Sequence, residues 1–216
     1  GLLIALGPGV DRPISAWDEA FLPMELRDRI AALRVPGADG RPVPVVKTER
    51  TMFLSTAPMP AEAPPDWTVR YLMAGLITGA LLVALALLGR RSGAARGGFA
   101  ALATIWAVAT GIAGLVLAGL WGLTDHVMAY RNENLLQLSP LGIALALVIV
   151  PAVRGSPRWG RLTRALAAAV VALSAMGLVL KVLPAFRQVN GPIIAFALPV
   201  HLGLLGGVRI LRLHGP

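Results

Sequence analysis

Cysteine is absent from the chain. That gap excludes disulfides, thiolate metal sites and a cysteine nucleophile among these residues. Acids are nearly absent from the larger part: nine of the 11 Asp and Glu precede residue 67, and only Asp125 and Glu133 follow. Charged residues make up 14% of the 216, against 56% hydrophobic, with a mean hydropathy of +0.71. A soluble domain carries about 25% charged residues, so this balance describes a membrane protein. A nucleotide-binding glycine loop, a serine nucleophile elbow and the HExxH zinc motif are all missing, as are internal repeats. One His and two carboxylates in the stretch from Thr124 to Leu141 form no ligand-spacing motif, so no metal and no other cofactor is expected.

The net charge of +9 would suggest nucleic acid in a soluble protein. Here the basic residues flank apolar runs, so membrane topology explains them and no nucleic-acid partner is expected. Five spans are read: Tyr71–Leu88, Phe99–Leu123, a third around Leu141–Val153, Leu166–Leu183 and Pro192–Leu211. The third has two readings. Leu141–Val153 alone falls short of the roughly 20 residues a helix needs to cross. Either Ser139 caps a helix that starts at Pro140, with Leu135–Leu138 dipping into the leaflet ahead of it, or a helix runs from Leu135 with a kink at Pro140. Irregular backbone at that depth has to be sheltered by protein or face a wet cavity.

Arg90, Arg91, Arg96, Arg154, Arg158, Arg161, Arg164, Arg209 and Arg212 gather at one end of the spans, while Arg70, Arg131, Lys181 and Arg187 lie at the other. The positive-inside bias assigns the first group to the cytoplasm and the N-terminal part to the outside, with Trp67, Tyr71, Trp121 and Tyr130 as an outer aromatic belt. Small residues at four-residue spacing, Gly75 and Gly79, then Gly114, Ala118 and Gly122, read as helix packing rather than a transport path.

Residues 1–66 are polar. Leu2–Leu6 reads as a buried strand ended by Gly7-Pro8-Gly9. Pro23 opens a helix reaching Leu33, with Leu26, Ile30 and Leu33 on one face. Val43–Leu54 is strand-like, and residues 57–66 form a proline-rich linker. So small a set cannot enclose a full core. Residues 1–56 are expected to be the C-terminal remnant of a larger domain of catalytic type, with residues 67–216 as the membrane domain. The fold expected is an all-α membrane bundle of about five helices preceded by the tail of an α/β domain.

Thr124–Leu141 is the one polar stretch after residue 66. His126 beside Asp125 has two readings, a general base suited to neutral pH or a solvated interfacial histidine. Arg131 suits a phosphate, and an outer leaflet presents one. Asn132, Glu133 and Asn134 complete the candidate substrate-binding set, although asparagines at such turns also cap helices. His201, ionisable at membrane depth, is a functional candidate, and Lys181 is expected to snorkel.

Two stretches together resemble one family. Ala5-Leu6-Gly7-Pro8-Gly9-Val10-Asp11-Arg12-Pro13, followed by Phe21-Leu22-Pro23-Met24-Glu25-Leu26, is similar to the close of the periplasmic domain in the Lnb-type lipoprotein N-acyltransferase family. Asp125-His126, Asn132-Glu133-Asn134-Leu135-Leu136 and Ser139-Pro140-Leu141 resemble its membrane part. The resemblance implies a bacterial inner-membrane enzyme. A papain-like Cys–His periplasmic domain would move an acyl chain through a thioester onto the N-terminal amine of a lipoprotein. Membrane phospholipid and a lipoprotein are then the expected partners. Because the nucleophile has no counterpart here, the catalytic half is expected upstream of Gly1. Two other classes stand beside this one: a non-catalytic anchor or assembly partner, and a small transporter, for which His201 and Lys181 would be the evidence.

Overall fold

The computed structural model describes residues 2–11, 13–53, 56–57 and 65–212. The chain divides into two compact units, residues 12–64 and residues 1–11 with 65–216. The first eleven residues therefore belong with the membrane bundle rather than with residues 12–56.

In the smaller unit, Ser15 and Asp18 form a capping box at the start of a short helix, Ala16–Glu19. A second helix, Pro23–Ala32, has proline at its first turn. Arg34–Pro36 and Pro42–Pro44 then pair antiparallel, with Val35 opposite Val43. The expected strand from Val43 to Leu54 stops at Pro44, because prolines at 42 and 44 have no N–H to extend a ladder; Leu54 lies outside the described residues. Most of the proline-rich linker also lies outside them. No described residue of this unit is buried, and Leu26, Ile30 and Leu33 are exposed. A helical stripe thus exists without a core behind it.

Leu2–Leu6, expected as a strand, is instead a helical turn, α1 (Leu2–Ala5). A strand needs a neighbouring ladder. Here the Ile4 and Leu6 carbonyls are taken by side-chain amides of the larger unit.

The larger unit is a ring of five apolar spans long enough to cross a membrane, the third only when the turn ahead of its helix is included (Glu133–Val153). To keep chain order, the two short helices of the smaller unit are α2 and α3. The membrane helices are α4 (Thr68–Gly89), α5 (Gly93–Gly122), α6 (Leu141–Val153), α7 (Pro157–Val179) and α8 (Gly191–Ile210). Each packs on the next, and α8 returns to α4. Ser92 caps α5 by accepting from the Ala95 N–H at 3.3 Å. Thr163 on α7 donates its hydroxyl to Trp159 O at 2.8 Å, so its polar atom is satisfied inside the bundle.

Lipid tails are as apolar as leucine, so such helices associate by close contact rather than by escape from water. The α4–α8 seam shows how. A Cβ at Gly79 would sit 2.5 Å from Pro199 O, so only glycine allows the two backbones to meet there. Leu82, Phe99, Ile149, Val200, Leu204 and Val208 fill the centre, while Ile77, Leu88, Ile105, Leu147 and Val179 remain exposed on the outside. An apolar sheath around a packed apolar core is the pattern a bilayer requires.

Two boundaries move. α7 starts at Pro157, not near Leu166, so Arg158, Arg161 and Arg164 lie on its first turns. Proline at N1 and the polar turn before it start the helix earlier than hydropathy alone suggests. The third span is α6 preceded by a separate 3-10 turn, Glu133–Leu136. The helix therefore starts after Pro140 with irregular chain ahead of it, and a continuous helix from Leu135 does not form. Pro140, rather than Ser139, occupies the capping position, while Ser139 Oγ accepts from the Leu141 N–H at 3.3 Å.

Candidate functional site

The loop after α5 is pinned by its own side chains. Thr124 donates to Leu120 O at 2.7 Å, and the Tyr130 hydroxyl donates to Thr124 O at 2.7 Å. Two 3-10 turns follow, Val127–Ala129 and Glu133–Leu136. The Gly7-Pro8-Gly9 segment lies against this loop. Gly7 donates its N–H to Met128 O at 2.8 Å, and any side chain at Gly7 would collide with Tyr130 O.

Below this contact Asn132, Glu133 and Asn134 are buried, and so are Gln188 and Asn190 from the α7–α8 loop. Asn132 donates to Ile4 O at 2.8 Å, and Asn134 donates to the same carbonyl at 3.2 Å. Asn132 Oδ1 accepts the Asn134 N–H at 3.0 Å, which caps the second turn. Asn190 Nδ2 donates to Asn134 Oδ1 at 3.0 Å. Gln188 accepts from the Glu133 N–H at 2.7 Å and donates to Leu6 O at 2.8 Å. The Glu133 carboxylate accepts from the Gln188 N–H at 3.0 Å and forms an ion pair with the Lys181 ammonium. Lys181 also donates to Gln188 O at 2.7 Å. Lys181 therefore does not snorkel; a buried acid needs a partner, and the lysine turns inward to supply it.

This knot shelters the irregular chain that leads into α6. Gln137 is 1% exposed and donates to Ser174 O at 3.0 Å, while Ser174 returns its hydroxyl to Gln137 Oε1. Side-chain bonds to α7 thus tie the irregular chain ahead of the short third helix to the inside of the bundle.

The candidate residues separate into three groups. Asn132, Glu133 and Asn134 hold the N-terminal segment and the α7–α8 loop. Asp125 and His126 are exposed and border a shallow depression with Ala5, Leu6 and Leu120. His126 Nδ1 faces Thr124 Oγ1 at 3.2 Å, and the Asp125 carboxylate makes no hydrogen bond to it among the described residues. Arg131 alone of the candidates is both exposed and placed on a large cleft. That cleft, of about 620 Å³, is lined by Trp121, Tyr130, Arg131, Leu135, Leu136, Phe186 and Arg187, among others. Arg131 has a φ of 54°, a left-handed backbone that costs a side chain about 1–2 kcal/mol. The cleft pairs two guanidinium groups with aromatic and aliphatic walls at the aromatic belt. Guanidinium forks bind phosphate oxygens, and such walls accept acyl chains. Among its described lining residues the one acid, Glu133, is already paired with Lys181.

His201 on α8 is 2% exposed, its ring 5.6 Å from that of Trp106, and neither nitrogen has a hydrogen-bond partner among the described residues. It is remote from the cleft lining.

Against this geometry, the family model of the Lnb transmembrane domain matches residues 66–198. The chain belongs to that family. The match covers more than half of the sequence, begins just ahead of α4 and ends inside α8. No curated protein and no solved structure matches the chain. In this chain the Lnb membrane domain is a five-helix ring whose third helix is short and whose loops are tied together at one end.

Sequence reasoning missed Arg187, Gln188 and Asn190 as parts of this site. One signal was available. Glu133, an acid beside a span, has few cations within reach at its end, and Lys181 is the one closing α7. The partner of that pair leads to the α7–α8 loop.

Proposed function

We propose that this chain is the membrane-embedded part of a cell-envelope acyltransferase of the lipoprotein N-acylating kind, and that its loop-end cleft holds the phospholipid donor. The observation that carries the reading is the cleft itself, with Arg131 and Arg187 over Trp121, Tyr130, Phe186, Leu135 and Leu136. A phosphodiester lies between the two guanidinium groups and the acyl chains run along the leucine and aromatic walls. The ester carbonyl is then at the level of the interface, where a soluble domain can reach it.

The nucleophile is a cysteine carried outside these residues, since none is present here. In this assignment Arg131 and Arg187 orient the donor, and the Asn132–Glu133–Asn134 knot fixes the loop that carries Arg131. His126 and Asp125 face the depression beside Ala5 and Leu6, where a bound substrate tail or the attached domain meets them. The excess of basic residues at the arginine-rich end supports a cytoplasmic place for it and a periplasmic one for the loop end, in the bacterial inner membrane that the family resemblance implies. Reporter fusions after Arg91 and near Arg158 then read cytoplasm, and one near Arg131 reads periplasm.

A second reading, a membrane anchor without a catalytic part, is favoured by one observation: three of the candidate binding residues are consumed in holding residues 4–6 and 188–190. Transfer assays separate the two. Full-length protein in phospholipid vesicles with a diacylated lipopeptide acceptor gives N-acylated product by mass spectrometry, and His126→Ala lowers its rate while insertion is unchanged. Wild-type transfer by His126→Ala would remove that residue from the chemistry. No transfer by the full-length protein under any donor would favour the anchor.

A further inference from the structure

The opposite end of the ring carries a second, separate concavity. Arg161, Arg164, Ala165 and Ala168 lie at i, i+3, i+4 and i+7 on α7 and so share one face. With Arg209, from the last turn of the adjoining α8, they line a depression of about 360 Å³. Three guanidinium groups from two helices line it, and no carboxylate pairs with them among the described residues. After residue 66 the sequence has only Asp125 and Glu133, both in the loop at the far end. Arg161, Arg164 and Arg209 make no ion pair among the described residues.

Neighbouring arginines are engaged differently. Arg158 lies over the Trp159 ring at 5.2 Å, and Arg96 donates to Gly89 O at 3.1 Å. α7 also begins beside the depression, and Ser156 makes no side-chain cap, so the positive end of the helix adds to the field. Directly below the arginines, Ala165 and Ala168 leave the surface low where larger side chains would fill it. The groove therefore has a cationic mouth at the membrane edge and an apolar floor running into the membrane.

We propose that this groove is a binding site for an anionic phospholipid, its phosphodiester held between Arg161 and Arg164 of α7 and Arg209 of α8, its chains lying over Ala165 and Ala168. Basic pockets between spans suit such headgroups, and each basic side chain near a lipid surface adds to the attraction. The site is independent of the donor cleft, which lies at the other end and needs neither helix face.

The test uses the full chain in detergent, titrated with phosphatidylglycerol, phosphatidylcholine or inorganic phosphate and read by native mass spectrometry. Wild type retains phosphatidylglycerol at least tenfold better than phosphatidylcholine, and phosphate does not displace it. Arg161→Gln/Arg164→Gln and, separately, Arg209→Gln each lose most of that preference. Arg90→Gln/Arg91→Gln, which removes the same charge from another part of this end, keeps it. All these side chains are exposed, so folding is preserved, and a thermal melt of each variant checks it. Equal retention of the two lipids overturns the proposal, as does a wild-type preference in both groove variants. Displacement by phosphate would make the site one for free anions instead, and an equal loss in the Arg90/Arg91 variant would reduce it to diffuse charge.

Discussion

Glu133 and Lys181, 48 residues apart, meet as an ion pair at the loop end of the ring, and the Glu133 side chain is 6% exposed against 24% for Lys181. The pair joins the segment ahead of α6 to the end of α7, and through Gln188 it reaches the N-terminal turn.

Removing one partner leaves the other charged and largely desolvated, which costs more than the pair contributes. Glu133→Gln or Lys181→Met alone is expected to destabilise the bundle by about 2–3 kcal/mol. The double variant is expected to lose less than the sum by about 1 kcal/mol or more. Unfolding titrations in mixed micelles measure the cycle. Strictly additive losses would mean that the two side chains do not act together.

Arg131 joins a useful side chain to an unfavourable backbone. Glycine adopts a φ of 54° without the Cβ clash, so Arg131→Gly should leave stability unchanged or raise it by up to about 1 kcal/mol. The same change removes one guanidinium from the cleft. A melt that holds while phospholipid use falls separates the role of the side chain from that of the fold. A large drop in melting temperature would show that Arg131 is structural.

The start of α4 is held by a carboxylate. Asp66 accepts from the Thr68 N–H at 2.8 Å, and bonds from the Thr68 hydroxyl first and its backbone second keep this carboxyl below its usual 3.8. A lowered folded value means the contribution is complete above the unfolded value and disappears as pH falls through the folded one. Amide protection in the first turn of α4 should therefore drop below about pH 3.8 in the wild type. Asp66→Asn should show no such step. A step of equal size in the variant would assign it to another group.

Much of this arrangement was legible in the sequence. Helix length and apolarity revealed the spans, and the shortness of Leu141–Val153 correctly implied a sheltered, irregular approach. The polar cluster at Asn132–Asn134 also marked the loop that borders the cleft. What composition could not show was direction. Asn132, Glu133 and Asn134 carry polar groups that suit a ligand or a backbone equally well, and their long-range bonds to residues 4, 188 and 190 appear only in the fold. Leu2–Leu6 looked like a strand because a five-residue apolar run has no period of its own; its carbonyls found amide side chains in place of a ladder. Arg187 was visible only as one more basic residue until the fold brought it to the cleft of Arg131.

The occupant proposed for the Arg131–Arg187 cleft is the phospholipid donor. The measurement that tests this most directly is the rate of acyl transfer by the full-length protein against phospholipid concentration, for wild type and for Arg131→Ala/Arg187→Ala. Loss of two charge-assisted contacts is expected to lower the rate at limiting phospholipid by about 10- to 100-fold, with much of the loss recovered at saturating donor. A double variant that follows the wild-type curve across the whole range would contradict the account.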